Sequence, residues 1–161
     1  TTELAYTIAH CGDYNYFSFK GMRSKGNNEL HVTSTHYDDQ IALDLVRGSQ
    51  RTVAIHGCEG NESVAYIGGS DDRLIELITE SLEDIGISVR EAPHHISGTQ
   101  ENNIVNMTQT QGGVQLELTA QLRKELFKNR KSSRKNRENK DNWDDLMYDF
   151  ADAMKKAIER A

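Results

Sequence analysis

The heptapeptide Arg51-Thr52-Val53-Ala54-Ile55-His56-Gly57 predicts a buried strand that carries a histidine at its end. Its three consecutive apolar residues are typical of a strand inside a sheet, and Gly57 and Gly60 end the pattern. Open α/β sheets bind their ligands at the carboxyl ends of central strands. We therefore expect His56 to lie in a functional site at the end of a central strand.

A second apolar stretch, Gly113-Val114-Gln115-Leu116-Glu117-Leu118, predicts a strand that carries a carboxylate. Glu117 lies between two leucines, where an ionised side chain is costly unless it is paired, hydrogen-bonded or functional. Zinc binds imidazole and carboxylate ligands, and a metallohydrolase also needs a carboxylate that moves a proton. We expect His56 and Glu117 to meet in one active site, as metal ligand and general base. A structural ion pair is the alternative that these residues leave open.

Helical and strand-like patterns alternate along the rest of the chain. Helices are predicted over 1–12, 39–47, 71–85, 119–129 and 141–160, and strands over 13–20, 30–37, 53–56, 63–67, 87–90 and 113–118. A long polar loop is predicted over 91–110. This order of elements predicts a single α/β domain over residues 1–161, with a mixed, mostly parallel sheet flanked by helices.

The composition excludes several classes of protein. The chain has 161 residues, which is enough for one domain with a sizeable core. A formal net charge of −6 argues against a general nucleic-acid binder. No run of 18 apolar residues is present, so we expect no transmembrane helix and no membrane partner. The two cysteines lie far apart and do not indicate a disulfide scaffold, and we expect the protein to be a monomer.

Positive charge is concentrated in one part of the chain. Nine of the nineteen Lys and Arg residues lie between Arg123 and Lys140, and the stretch 128–140 has a low-complexity, basic composition. We expect this stretch to be a solvated, mobile connection. A surface that binds a polyanion is the alternative.

Four spaced motifs resemble the poly-γ-glutamate hydrolase family, which is known from bacteriophages and from prophage regions of Bacillus-like bacteria. The motifs are Glu29-Leu30-His31-Val32-Thr33-Ser34-Thr35-His36-Tyr37-Asp38, Val53-Ala54-Ile55-His56-Gly57, Asn103-Ile104-Val105-Asn106 and Gly113-Val114-Gln115-Leu116-Glu117. The opening Thr1-Thr2-Glu3-Leu4 also resembles the family. The motifs occur in order over most of the chain. We do not extend the resemblance to the basic stretch or to the last helix.

The resemblance implies a compact relative of the zinc carboxypeptidases that hydrolyses the γ-glutamyl amide bonds of poly-γ-glutamate. It implies Zn²⁺ as the cofactor, with His56 as one ligand and Glu117 as general base. The other two protein ligands, a His and a Glu, are expected just ahead of the segment that matches Thr1-Thr2-Glu3-Leu4. Substrate contacts are assigned to Arg123, Asn103, Asn106 and His36. For His36, a structural hydrogen-bonding role is the alternative.

Three functions stay open from the sequence. The first is zinc-dependent hydrolysis of poly-γ-glutamate. The second is a module that binds a polyanion through the basic stretch 128–140 without turnover. The third is a relative that keeps the fold and has lost the activity.

The sequence shows no signal-peptide pattern, so we expect the protein either to stay in the cytoplasm until phage lysis releases it or to act outside the cell.

Overall fold

A computed structural model describes residues 1–161 as six α-helices and four strands. The helices are α1 (Thr2–Gly12), α2 (Gln40–Arg47), α3 (Asp72–Asp84), α4 (Ala120–Glu125), α5 (Arg134–Arg137) and α6 (Asp145–Glu159). The strands are β1 (Val53–Cys58), β2 (Val64–Gly69), β3 (Ser88–Glu91) and β4 (Val114–Thr119). Short 3₁₀ turns cover Asn27–Leu30, Ser34–His36, His94–Ile96, Ile104–Asn106, Lys128–Arg130 and Lys140–Asn142.

The four strands form one mixed sheet in the order β1-β4-β2-β3. The pairs β1–β4 and β2–β3 are parallel, whereas β2 is antiparallel to β4. Two of the three pairs are therefore parallel, and helices flank the sheet, which confirms the predicted fold class. The prediction that the His56 strand is central is wrong. It lies at the edge of the sheet and pairs only with β4, which is buried along its whole length.

One face of the sheet packs against a layer formed by α1, α3 and α6. Val114, Leu116 and Leu118 alternate along β4 and are fully buried against these helices. The helices contribute residues at the spacing of an amphipathic helix, as in the buried set Leu74, Leu77, Ile78, Ser81 and Leu82 of α3. The Asp71 side chain begins α3 by accepting a hydrogen bond of 3.0 Å from the Leu74 amide.

The opposite face of the sheet is polar. The alternate positions of β4 on this face are Gln115, Glu117 and Thr119, all of them buried. The loop between β3 and β4 covers this face, and its main-chain carbonyl at Ile96 accepts a hydrogen bond of 3.1 Å from Gln115 Nε2. Burying a polar row requires partners inside the protein. The loop supplies them for Gln115, which in turn donates to Glu117, whereas the Thr119 hydroxyl donates a hydrogen bond of 2.7 Å to the Glu62 carbonyl.

Close contact between the loop and β2 depends on Gly68. The Gly69 amide donates a hydrogen bond of 2.7 Å to the Ser97 carbonyl. A Cβ atom at Gly68 would collide with that same carbonyl oxygen. The absence of a side chain at Gly68 therefore lets the loop backbone lie directly on the strand.

Two predicted strands are absent. Residues 13–20 form no regular structure after Asp13, which ends α1 with a φ of 54° in the left-handed region. The segment 30–37 is not a strand: Leu30 is the last residue of the 3₁₀ turn Asn27–Leu30, and a second 3₁₀ turn covers Ser34–His36. Both segments have strand-like composition, but a strand also needs a neighbour for its backbone groups, and neither segment pairs with the sheet.

The C-terminal third also differs from prediction. The helix predicted over 119–129 ends as α4 at Glu125, and the closing helix begins at Asp145, where the Asp144 carboxylate accepts a hydrogen bond from the Leu146 amide. The basic stretch is largely exposed and forms short helical turns, and its backbone carbonyls accept hydrogen bonds from the Asn142 and Trp143 side chains. Its mobility stays a prediction. None of the helices combines the length and apolar character that a membrane span requires.

Candidate functional site

His56 and Glu117 are direct partners in the parallel ladder between β1 and β4. Residues opposite each other in adjacent strands project from the same face of the sheet, so both side chains lie on the polar face. Tyr66 of β2 is the partner of Glu117 on its other side and extends the row. The structure therefore brings together the two residues on which the predicted active site depends.

Glu117 is a buried acid with a strongly perturbed pKa. Only 8% of the surface of Glu117 is exposed to solvent. This burial raises the pKa of the Glu117 carboxyl group from the ordinary value of 4.5 to about 7. A hydrogen bond of 3.3 Å from Gln115 Nε2 and the positive charge of Arg123 act against this rise in pKa. A pKa near neutrality suits a group that takes up and releases a proton during a reaction.

His56 is held as a neutral imidazole. Burial lowers the pKa of His56, and the nearby imidazole of His31 lowers it further. The neutral ring has a free nitrogen lone pair, which is the form that binds zinc. The segment around His31 thus reaches the site. Farther along that segment, His36 is exposed on the turn Ser34–His36, and its contact with substrate stays a prediction.

Arg123 lies at the carboxyl ends of the two site strands. Its Nε donates a hydrogen bond of 3.1 Å to the Leu118 carbonyl, and its Nη2 donates one of 2.9 Å to the Cys58 carbonyl. Gly57 makes this position accessible, since a Cβ there would lie 2.9 Å from Arg123 Cζ. The guanidinium is fixed and only half-buried, and Nη1 makes no hydrogen bond within the protein. The role of Arg123 in binding substrate stays a prediction.

Asn103 and Asn106 organise the loop that covers the polar face. Asn103 accepts a hydrogen bond of 3.1 Å from the Val105 amide and donates one of 3.2 Å to Gln115. Asn106 donates to the carbonyls of Gly98 and Gln100, at 2.8 and 3.0 Å, and its Oδ1 accepts a bond of 2.8 Å from the Ser70 hydroxyl. Both asparagines are buried. These bonds support a positioning role for both, whereas their direct contact with substrate stays a prediction.

Gln115 is the residue that the sequence reasoning missed. It receives a hydrogen bond from Asn103 and donates to both Glu117 and the Ile96 carbonyl. It therefore connects the loop to the carboxylate. The signal was present in the sequence, because Gln115 stands two residues before Glu117 and so faces the same side of the strand.

The metal-binding capacity of residues 1–161 is partial. No three His, Cys, Asp or Glu side chains lie together as a group that could hold an ion. His56, with its neutral imidazole, fits one ligand position. Burial raises the pKa of the neighbouring Cys58 thiol, and the charge of Glu117 raises it further, so the thiolate that would bind zinc is disfavoured.

Solved structures show the same fold. The chain superposes on a structure described as bacteriophage poly-gamma-glutamate hydrolase with a TM-score of 0.93 and 32% sequence identity, covering 99% of this chain and 76% of that one. A second structure, described as the apo, zinc-free form of YndL, matches with a TM-score of 0.85 and 27% identity, covering 98% of this chain and 76% of that one.

Curated relatives come from Bacillus subtilis strain 168. The SPbeta prophage-derived UPF0714 protein YoqZ is 36% identical over 129 residues, which cover 79% of this chain and 46% of YoqZ. The UPF0714 protein YmaC is 31% identical over 155 residues, which cover 92% of this chain and 62% of YmaC. The chain thus spans about half the length of the curated relatives it matches.

The family model for poly-gamma-glutamate hydrolase matches residues 1–153. This range includes the basic stretch and more than half of α6, so the expectation that the family resemblance stops short of them is wrong. The resemblance inferred from the four motifs is confirmed, and the chain belongs to the poly-gamma-glutamate hydrolase family.

Proposed function

We propose that the His56–Glu117 site hydrolyses γ-glutamyl amide bonds of poly-γ-glutamate with the help of zinc. One observation carries the proposal. Glu117 is buried, has a pKa of about 7 and is the ladder partner of a neutral histidine on the polar face of the sheet. A buried structural ion pair would favour the charged forms of both partners, whereas here both pKa shifts favour the neutral forms.

Glu117 acts as general base and then as general acid. Its carboxylate accepts a proton from the attacking water and returns it to the nitrogen of the leaving amine. The hydrogen bond from Gln115 leaves the second carboxylate oxygen free for this exchange. Zinc, when bound, polarises the scissile carbonyl and lowers the pKa of water.

His56 would hold the zinc as one of its protein ligands, and the family resemblance assigns the others to residues ahead of Thr1.

Arg123 would orient the substrate. A γ-linked glutamate keeps a free α-carboxylate next to each amide bond, and a guanidinium is suited to a carboxylate. The Arg123 Nη1 group is unused within the protein, while Nε and Nη2 are anchored on main-chain carbonyls. An anchored cation loses little further entropy when it binds an anion.

The test is hydrolysis of poly-γ-glutamate by the natural full-length protein that contains residues 1–161. Chain cleavage is measured from polymer length and from newly released amines. Glu117→Gln should lower the rate by about 10²- to 10⁴-fold, since it removes the proton-transfer group. Glu101→Gln is the matched control, because Glu101 is exposed and makes no ion pair. A chelator should abolish cleavage, and added zinc should restore it.

Two results would contradict the proposal. Full-length protein loaded with zinc that leaves the polymer intact would exclude the reaction. Cleavage that survives in Glu117→Gln at the rate of Glu101→Gln would exclude the role of Glu117.

A further inference from the structure

Residues 124–140, here named the basic segment, differ in charge from the rest of the protein. They contain eight Lys and Arg and two Glu, a formal charge of +6, so the remainder of the chain carries −12 within the total of −6. Like charges this close repel one another, and spreading them over the acidic surface would reduce the repulsion. Solubility alone therefore does not explain why eight Lys and Arg residues are concentrated in the basic segment.

The fold orders the basic segment through its backbone. Trp143 is buried, and its Nε1 donates a hydrogen bond of 2.7 Å to the Arg137 carbonyl. Asn142 Nδ2 donates to the carbonyls of Lys131 and Asn136, at 2.9 and 3.4 Å. These contacts fix the path of the chain without using its charged groups.

Most of the positively charged side chains of the basic segment are exposed and available to bind an anion. All five lysines of the segment are exposed and make no ion pair. Lys140 makes cation–π contacts, and the other four do not: Lys124, Lys128, Lys131 and Lys135. The three arginines each pair with one Glu, at 3.1 to 3.7 Å, and all three remain more than 40% exposed. Exposed pairs of this kind contribute little and exchange readily for another anion.

The basic segment adjoins the candidate active site. Helix α4 leads directly from the Glu117 strand into it. Arg123 at the site is followed directly in the chain by Lys124, the first residue of the basic segment. The segment also contacts α1, because Arg137 Nε lies 3.3 Å from Glu3 Oε1. The basic segment therefore starts next to the cation that lies at the site.

We propose that the basic segment is a second binding surface for poly-γ-glutamate, which holds the part of the polymer that lies outside the bond being cut. The proposal rests on the function proposed for the His56–Glu117 site and adds a surface that retains long chains. The polymer carries one carboxylate per residue, so several weak contacts act together on one chain. Flexible lysines suit a polymer without fixed geometry better than a rigid guanidinium fork does.

The same surface is poorly suited to single-stranded nucleic acid. Proteins that bind such strands stack bases on exposed aromatic rings. Here Phe127 and Trp143 are buried. The Lys140 ammonium lies 5.6 Å from the centre of the Trp143 ring and 4.9 Å from that of Tyr6, covering both. The segment therefore offers charge without a stacking platform.

The test compares two variants of the full-length protein with equal charge changes. One replaces by glutamine the four lysines of the segment that make neither an ion pair nor a cation–π contact (K124Q, K128Q, K131Q and K135Q). The control replaces the other four lysines outside it (K20Q, K25Q, K155Q and K156Q). Binding of long poly-γ-glutamate and of a short γ-glutamyl oligomer is measured at several salt concentrations in a Glu117→Gln background, where cleavage is expected to be about 10²- to 10⁴-fold slower than in the parent. Cleavage of both substrates is measured with Glu117 intact.

The segment variant should bind the long polymer about 10- to 100-fold more weakly, with a shallower salt dependence, and should bind the short oligomer as before. With Glu117 intact, its KM should rise for the polymer only. The control variant should retain the parent affinity. Equal affinity of both variants for the polymer, or an equal loss in both, would overturn the proposal. So would tighter binding of single-stranded DNA than of poly-γ-glutamate of matched charge at the same salt concentration.

The two proposals fail in different ways. Absence of cleavage together with the expected loss of polymer binding would remove the proposed reaction and keep the second surface. Normal cleavage of the polymer by the segment variant, with unchanged KM, would remove the second surface and keep the reaction.

Discussion

Replacing Glu117 by glutamine should stabilise the metal-free protein at alkaline pH. The wild-type carboxyl group has a pKa of about 7 in the folded protein, against an ordinary value of 4.5. A group whose pKa is raised by folding holds its proton more tightly in the folded state. Its contribution to the free energy of unfolding therefore falls as the pH rises from about 4.5 to about 7, and stays constant above that range. Glutamine fills the same space and does not ionise.

The size of the effect follows from the shift in pKa. The folded value lies about 2.5 above the ordinary value, and each pKa unit corresponds to about 1.36 kcal/mol, so the full penalty is about 3 kcal/mol at pH 8 and close to zero at pH 4. The residue is buried, so screening by solvent removes little of it. The Gln115 hydrogen bond persists in the variant, because its Nε2 can still donate to the side-chain oxygen at position 117.

The assay is urea unfolding of the wild type and of Glu117→Gln at pH 4, 6 and 8 in the presence of a chelator. The difference in unfolding free energy should grow from near zero to about 2 to 3 kcal/mol in favour of the variant. Glu101→Gln, at an exposed position, should show no such trend. A difference that is independent of pH, or a variant less stable than wild type at pH 8, would refute the reasoning about burial.

Three further predictions follow from single contacts. Gly57→Ala should displace Arg123 from its two carbonyl partners and lower the free energy of unfolding by about 1 to 3 kcal/mol, measured by urea unfolding with Arg123→Met as comparison. Phe150→Ala, at a fully buried position, should cost about 3 to 5 kcal/mol in the same measurement, and a loss below 1 kcal/mol would contradict the packing described. In metal-free protein, NMR titration should give His56 a pKa below its ordinary value of 6.5, and His31→Gln should raise it. An unchanged His56 pKa in the His31→Gln variant would show that His31 has no electrostatic effect on His56.

The apolar stretches of the sequence were sufficient to predict the four strands that form the sheet. The run before His56 and the alternation around Glu117 both correspond to strands, and the helical spacing in α3 is observed with its cap at Asp71. These signals come from burial on one face, which is a local property of the sequence. The position of a strand within the sheet is not local. The histidine strand was therefore predicted as central, although it pairs on one side only.

Other differences share the same physical origin. The segment 30–37 has the β-branched residues of a strand, yet it forms 3₁₀ turns because no neighbouring strand accepts its backbone hydrogen bonds. The basic stretch was predicted from its composition to be an irregular connection. It forms short helical turns, and its carbonyls accept hydrogen bonds from the Asn142 and Trp143 side chains, which composition does not report. Likewise, the two asparagines assigned to substrate are held in hydrogen bonds that depend on how the long loop folds back.

The contact at Gly68 has a consequence for how this site tolerates change. Gly68 is the ladder partner of Gln115, and the Ser97 carbonyl occupies the space in which its side chain would lie. Any larger residue there would lift the loop, and with it the Ile96 carbonyl that holds Gln115 against Glu117. The acidity of the Glu117 carboxyl group therefore depends in part on a position that has no side chain. Random mutagenesis screened for an altered pH optimum should recover no active variants with a substitution at Gly68. Variants with a shifted pH optimum should instead carry substitutions in the loop that lies on Gly68.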